Sequence, residues 1–119
     1  MLTDAADRAS ERYLDLVRRL QEAVLGESGV TEPSLRKAVE ARAAGLSGRA
    51  GRSENVPPAL TPFVDKVARR AFEVTRADVE ALRRAGYSED AIFETMASAA
   101  LGAGLGRLER GLAALKGEV

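Results

Sequence analysis

The chain has 119 residues, which fits one domain, and its eighteen basic and eighteen acidic side chains leave a formal net charge of zero. It contains no cysteine, no histidine and no tryptophan. These absences exclude disulfides, thiolate chemistry, histidine-dependent triads and HExxH zinc sites, so any catalysis must use carboxylates, lysine, tyrosine or serine.

The sequence also predicts where the protein works. Charged residues are frequent near the first residue, unlike the apolar stretch of a signal peptide, and no uncharged apolar run approaches the roughly twenty residues of a membrane span. We therefore expect a soluble cytoplasmic protein that has no membrane partner.

Two helices are predicted in the first part of the chain. Apolar residues spaced by three and four positions predict an amphipathic helix over 5–25. Thr31 in the capping position and Pro33 in the first turn predict a second helix over 32–44. Because this second helix has few large apolar residues, we expect it at the surface. The glycine- and proline-rich stretch 45–58 is predicted to be a loop.

The helical region 61–116 follows this loop. Its first helix opens at Thr61 and reaches about Val74, with an apolar stripe that runs from Phe63 to Phe72. A capping box formed by Thr75 and Asp78 starts the next helix.

The end of that helix and the start of the last one are also marked in the sequence. Gly86 fits the left-handed position that ends a helix. Ser88 then caps a long last helix, from about Glu89 to Lys116. The sequence as a whole predicts a single all-α domain over 1–119, a bundle of about five to six helices.

The last helix carries a packing seam. Its leucines are spaced by four, three, four and three residues, and small residues, above all Gly102 and Gly106, lie beside them. Several glycines within a helix indicate that another backbone approaches closely. That backbone belongs either to the same chain or to a partner subunit, and the sequence leaves both alternatives open. The predicted seam consists of Gly102, Gly106, Leu101, Leu105, Leu108, Leu112 and Leu115.

Several groups of residues in the sequence are candidates for chemical or binding sites. The segment around Gly86 has the outline of a helix-turn-helix, but the acidic residues that open its second helix would be repelled by phosphate, so we predict no nucleic-acid partner. We predict no metal, because acidic residues in a first helical turn complement the helix dipole. A basic group over the second helix and the loop could receive an anionic partner: Arg36, Lys37, Arg49 and Arg52.

The stretch RADVEALRRAGYSEDAIFETMASAALGAGLGRLERGLAAL resembles the AhpD-like, or carboxymuconolactone decarboxylase, family of small helical proteins. The shared pattern is a helix ending in Ala-Gly, a cap of serine and two acids, and an alanine-rich helix. The resemblance covers about half of the chain. It implies an AhpD-like fold and a homo-oligomer, such as a trimer or hexamer.

The same resemblance places the redox residues of the family. Redox members carry two cysteines and a histidine, and counting back from Gly86 sets Ala71 and Val74 at the cysteine positions and Asp78 at the histidine position. The thiol peroxidase chemistry of the family is therefore not available here, and no cofactor is expected.

Two classes of function follow from the sequence. The first is a non-redox, AhpD-like homo-oligomer that acts as a binding or structural module and is not an enzyme. The alternative is an enzyme with lyase or hydrolase chemistry, or residual carboxymuconolactone-decarboxylase-like activity. Its candidate acids are Asp78 and Glu73, and it would require a buried carboxyl group whose pKa lies near neutrality. No ligand or substrate is predicted for either class.

Overall fold

A computed structural model describes residues 4–51 and 55–119 of the chain. Over these residues the fold is all-α, as predicted, with a π-helical turn at Glu22–Gly26 and a 3-10 turn at Ala71–Glu73. The five α-helices are α1 (Asp4–Gln21), α2 (Pro33–Leu46), α3 (Thr61–Arg70), α4 (Arg76–Arg84) and α5 (Glu89–Leu115).

The centre of the fold is the pairing of α2 with α5. On α2, Val39, Ala43 and Ala44 are fully buried, so the expectation that this helix lies at the surface is wrong. Small side chains allow two helix backbones to approach closely, and α2 is short of large apolar residues because it lies against the glycines of α5. The glycine pattern of α5 was therefore the better indicator of where α2 lies.

The start of α2 differs from the predicted cap. Glu32 occupies the capping position, and Thr31 points its hydroxyl at Glu94 on α5. The Thr31 side chain therefore does not cap α2. It contacts a residue that is 63 positions away in the sequence.

One face of α3 completes the core. Phe63, Val64, Val67 and Ala68 are buried, as their spacing predicted. The predicted continuation of the stripe to Phe72 is wrong, because α3 ends at Arg70 and the following 3-10 turn leaves the Phe72 side chain 85% exposed.

The caps around α4 and α5 are confirmed. The box of Thr75 and Asp78 opens α4, and Gly86 has a positive φ of 103° at the turn that follows this helix. The Ser88 hydroxyl accepts a hydrogen bond from the backbone N–H of Ala91 and so caps α5. These caps direct α5 back across α2 and α3, with which it makes its main contacts.

The region predicted as a loop is only partly irregular. α2 continues to Leu46, and a turn follows in which Gly48 has a positive φ of 128°. A Cβ atom at Gly48 would lie 2.8 Å from the Cβ atom of Arg110 and 3.0 Å from the carbonyl oxygen of Gly106. The turn therefore packs closely on α5. Residues 52–54 of the predicted loop lie outside the described residues.

Candidate functional site

The two candidate catalytic acids lie at the end of α3 and the start of α4. Asp78 accepts a hydrogen bond from the backbone N–H of Thr75 at 2.8 Å, and its oxygens lie 3.0 and 3.1 Å from Nζ of Lys66. The Thr75 N–H first, and Lys66 second, hold the pKa of Asp78 below its usual value. The carboxylate is therefore ionised at neutral pH and fixes the start of α4 to α3.

Glu73 has a surface position. It forms an ion pair with Arg70 at 3.2 Å, and both side chains are about half exposed. Glu73 does not line any of the described cavities. Its carboxyl group is in contact with solvent. Neither Glu73 nor Asp78 is buried, so neither has the environment that the predicted acid–base chemistry requires.

The positions that correspond to the family's redox residues do not form a common pocket. Ala71 is exposed on the 3-10 turn, and Val74 packs against the core. Among the residues described, no group of three or more carboxylates could hold a metal ion. No described helix has the length and apolar character needed to cross a membrane.

A buried arginine joins the first turn of α2 to the π-helical turn. Arg36 is nearly inaccessible, and its guanidinium donates hydrogen bonds to the carbonyl oxygens of Val24, Glu27 and Thr31. Its Nε lies 3.9 Å from a carboxylate oxygen of Glu94. Arg36 belongs to the predicted basic patch, but its guanidinium binds groups inside the protein.

Glu94 receives the other hydrogen bonds of this junction. Its carboxylate accepts from the backbone N–H groups of Val30 and Thr31, at 2.9 Å each, and from the Thr31 hydroxyl. These bonds, the Thr31 hydroxyl above all, lower the pKa of Glu94. Glu94 therefore fastens the segment before α2 to α5, a role that its sequence position did not indicate.

A second arginine joins α2, α5 and the turn after α2. The Arg49 guanidinium donates to both carboxylate oxygens of Glu40, at 2.7 and 2.9 Å, and to those of Glu109, the nearest at 2.7 Å. Gln21 donates to Glu40 as well, at 3.2 Å. Glu109 and then Glu40 raise the pKa of Arg49. The Glu40 side chain is only 5% exposed, so this ion pair is largely shielded from solvent.

The predicted anion-binding patch is therefore not formed as a patch. Arg36 and Arg49 are bound to groups within the protein, whereas Lys37 is exposed on α2. Arg52 lies outside the described residues. The sequence signal that could have revealed this outcome is the presence of Glu40, Glu94 and Glu109 on helices that face these arginines.

The glycines of the predicted seam pack within the chain. A Cβ atom at Gly102 would collide with the carbonyl oxygen of Glu40, and one at Gly106 would collide with that of Ala44. Because each step of four residues on α5 matches a step of four on α2, the two helices run in the same direction. The backbone that the glycines predicted is that of α2.

The leucines of the seam have mixed surroundings. Leu105 is buried and Leu101 and Leu112 are half-buried, whereas Leu108 and Leu115 are exposed. An apolar groove of about 220 Å³ lies between α1 and the second half of α5. It is lined by Leu14, Val17, Arg18, Gln21, Leu105, Leu108, Glu109 and Leu112.

Three further exposed apolar side chains lie on α1 and are not part of the lining of this groove. Tyr13, Leu16 and Leu20 are spaced by three and four residues, and their side chains are 60%, 56% and 48% exposed. On α5, Leu108 and Leu115 are also exposed, by 42% and 69%. We call these five side chains the α1/α5 apolar surface and take it as the candidate functional site.

Comparisons with known proteins do not assign the chain to a class. No family model, no curated protein and no solved structure matches it. The likeness to AhpD-like proteins therefore stays a prediction from the sequence.

Proposed function

We propose that this protein is a non-redox, AhpD-like helical module that associates with copies of itself and acts by binding or by building a structure. The observation that carries the proposal is the α1/α5 apolar surface, because large apolar side chains that stay exposed on neighbouring helices mark candidate protein contacts. Association is the general way in which such a surface is removed from water.

The charges on α1 are compatible with this role. Asp15 forms ion pairs with Arg18 and Arg19 within the helix, at 3.6 and 2.9 Å. The helix therefore neutralises part of its own charge beside the exposed leucines. Of the charges on these three residues, only one positive charge is left for solvent or a partner to balance.

The proposal includes an AhpD-like fold. Its support is the succession of α4, the glycine turn at Gly86 and the long α5 capped by Ser88. The alternative of acid–base catalysis has no comparable support, since the pKa of Asp78 is lowered and Glu73 is half exposed.

Sedimentation equilibrium across micromolar to hundred-micromolar concentrations tests the proposal. We expect the parent chain to associate and Leu16→Glu to shift the protein to monomers, because a charge would be buried at the contact. Since Leu16 is 56% exposed in one copy, this variant is expected to fold.

Phe72→Glu is the matched control, because Phe72 is also exposed but lies on the 3-10 turn after α3. It is expected to associate like the parent. A parent chain that stays monomeric throughout the concentration range, or equal disassembly by both variants, would refute the proposal.

A further inference from the structure

The side of α5 that faces away from α2 has a regular composition. Leu101, Leu108 and Leu115 recur every seven residues, and small residues recur with the same period at Ala97, Gly104 and Gly111. In a heptad these two sets take the positions that meet a partner helix. The face is open over its second half, where Leu108 is 42% and Leu115 is 69% exposed.

The glycines of this face are not explained by contacts within the chain. Glycine lowers helix stability relative to alanine, and a closely packed neighbour is one reason for its presence in a helix. Gly102 and Gly106 have that need, since α2 lies against them. By contrast, a Cβ atom at Gly104 or Gly111 would meet no described atom within 4 Å.

We propose that a second copy of the chain covers this face, with the two α5 helices antiparallel about a twofold axis near Gly106. In this arrangement Leu108 lies over Gly104 of the partner, Leu101 over Gly111 and Leu115 over Ala97. All three pairs are centred on the same position, so one rotation satisfies them together. In antiparallel pairs of helices a large side chain fits best opposite a small one.

The charges around the face agree with this arrangement. Arg107 lies at its edge, and its guanidinium donates a hydrogen bond to the carbonyl oxygen of Ala68 at 2.9 Å. The charge is therefore directed at α3 of its own chain and away from the axis. The six positions that meet the partner, the leucines and small residues from Ala97 to Leu115, include no charged residue.

The proposed contact extends along most of α5. The stretch from Ala97 to Leu115 is about 28 Å long, given the rise of an α-helix. A specific interface needs about 1,000 Å² in total, and Leu14 of α1, which is 40% exposed and lines the groove with Leu108, extends the surface beside α5. The pairing rests on the proposed self-association and identifies its contact face.

Because the chain has no cysteine, introduced cysteines can test the pairing directly. We expect a mixture of Ala97→Cys and Leu115→Cys chains to form the mixed disulfide on mild oxidation, and neither variant alone to cross-link efficiently. In the antiparallel pair, position 115 of one copy lies about 27 Å along the axis from position 115 of the other. In a parallel pair these two positions would be adjacent.

The outcomes separate this inference from the proposed function. Efficient cross-linking of Leu115→Cys with itself would overturn the antiparallel arrangement. If the parent chain associates but the mixture of Ala97→Cys and Leu115→Cys chains gives no mixed disulfide, the α5 pairing is overturned and self-association stands. A parent chain that is monomeric by sedimentation would overturn both.

A second measurement uses the open glycines. Gly104→Leu is expected to fold at least as stably as the parent in dilute solution, because leucine favours helix and has space there. It is expected to weaken association about tenfold or more, since two leucines would then face each other. Gly45→Leu is the control, because Gly45 is an exposed glycine of α2 that also has no neighbour within 4 Å. Unchanged association of Gly104→Leu would overturn the pairing.

Discussion

Single side chains decide how the segment between α1 and α2 is held. Glu94 accepts hydrogen bonds from Val30 and Thr31, and Arg36 donates to three carbonyl oxygens of the same segment. Gly29 lies so close that a Cβ atom there would be 2.6 Å from a Glu94 oxygen. Between the π-helical turn and α2 the backbone is not helical. There these polar contacts take the place of intrahelical hydrogen bonds.

The lowered pKa of Glu94 predicts a dependence of stability on pH. Its contribution is fully present above the ordinary carboxyl value of 4.5 and is lost as the pH falls through the lower value of the folded state. Glu94→Gln is therefore expected to lower the free energy of unfolding by about 1 kcal/mol at pH 7 and by less at acidic pH.

Urea denaturation from pH 7 down to pH 3 measures this difference. Glu73→Gln is the control, because a surface ion pair such as that of Glu73 with Arg70 contributes little. A Glu94→Gln effect that is as large at pH 3 as at pH 7 would show that the loss is unrelated to the charge.

At the scale of elements, the contact between α2 and α5 determines the fold. The two helices approach closely enough for the carbonyl oxygens of Glu40 and Ala44 to lie against Gly102 and Gly106. Arg49 adds hydrogen bonds to Glu40 on one helix and Glu109 on the other. Close packing and paired charges therefore act on the same contact, and α2 occupies the position of a core helix although its side chains are small.

Gly102→Ala is expected to destabilise the protein by about 2 kcal/mol, because the new methyl group must push α2 away from α5. Gly45→Ala makes the same replacement on the exposed side of α2 and is expected to stabilise it by up to about 1 kcal/mol. Thermal or urea unfolding of both variants provides the measurement. Equal effects of the two replacements would mean that helix propensity alone governs them.

At the scale of the whole molecule, α1 is loosely attached, since none of its described side chains is buried. Its described side chains from Asp7 to Leu20 form hydrogen bonds and ion pairs within the helix only, and its main tertiary contact is the apolar groove against α5. Leu25, in the turn after α1, is buried and anchors its end. The molecule is accordingly elongated, measuring 52 by 27 by 23 Å.

Hydrogen exchange tests this difference between helices. In dilute protein, the amides of α1 are expected to exchange well before those of α2 and α5, because few contacts oppose local opening. At concentrations where copies associate, the protection of α1 is expected to rise, since its exposed leucines adjoin the contact face. An α1 that is as protected as α2 in the dilute protein would contradict this view.

The sequence by itself determined the elements and their caps. Thr75 with Asp78, Gly86 and Ser88 fixed the ends of α4 and the start of α5, because capping involves groups within about four residues of each other. The same locality explains the correct all-α prediction. It also explains why α3 was predicted too long: the stripe to Phe72 contains no signal for the change to a 3-10 turn at Arg70.

The tertiary structure alone decided which side chains meet. Arg49 and Glu109 are 60 residues apart, and their pairing depends on the direction in which α2 and α5 cross. For the same reason the sequence could not show which backbone packs against the glycines of α5. In the structure these glycines form two groups: Gly102 and Gly106 face α2, whereas Gly104 and Gly111 face outward. A helical pattern fixes the angular position of a residue around its axis, but only packing determines what lies opposite to it.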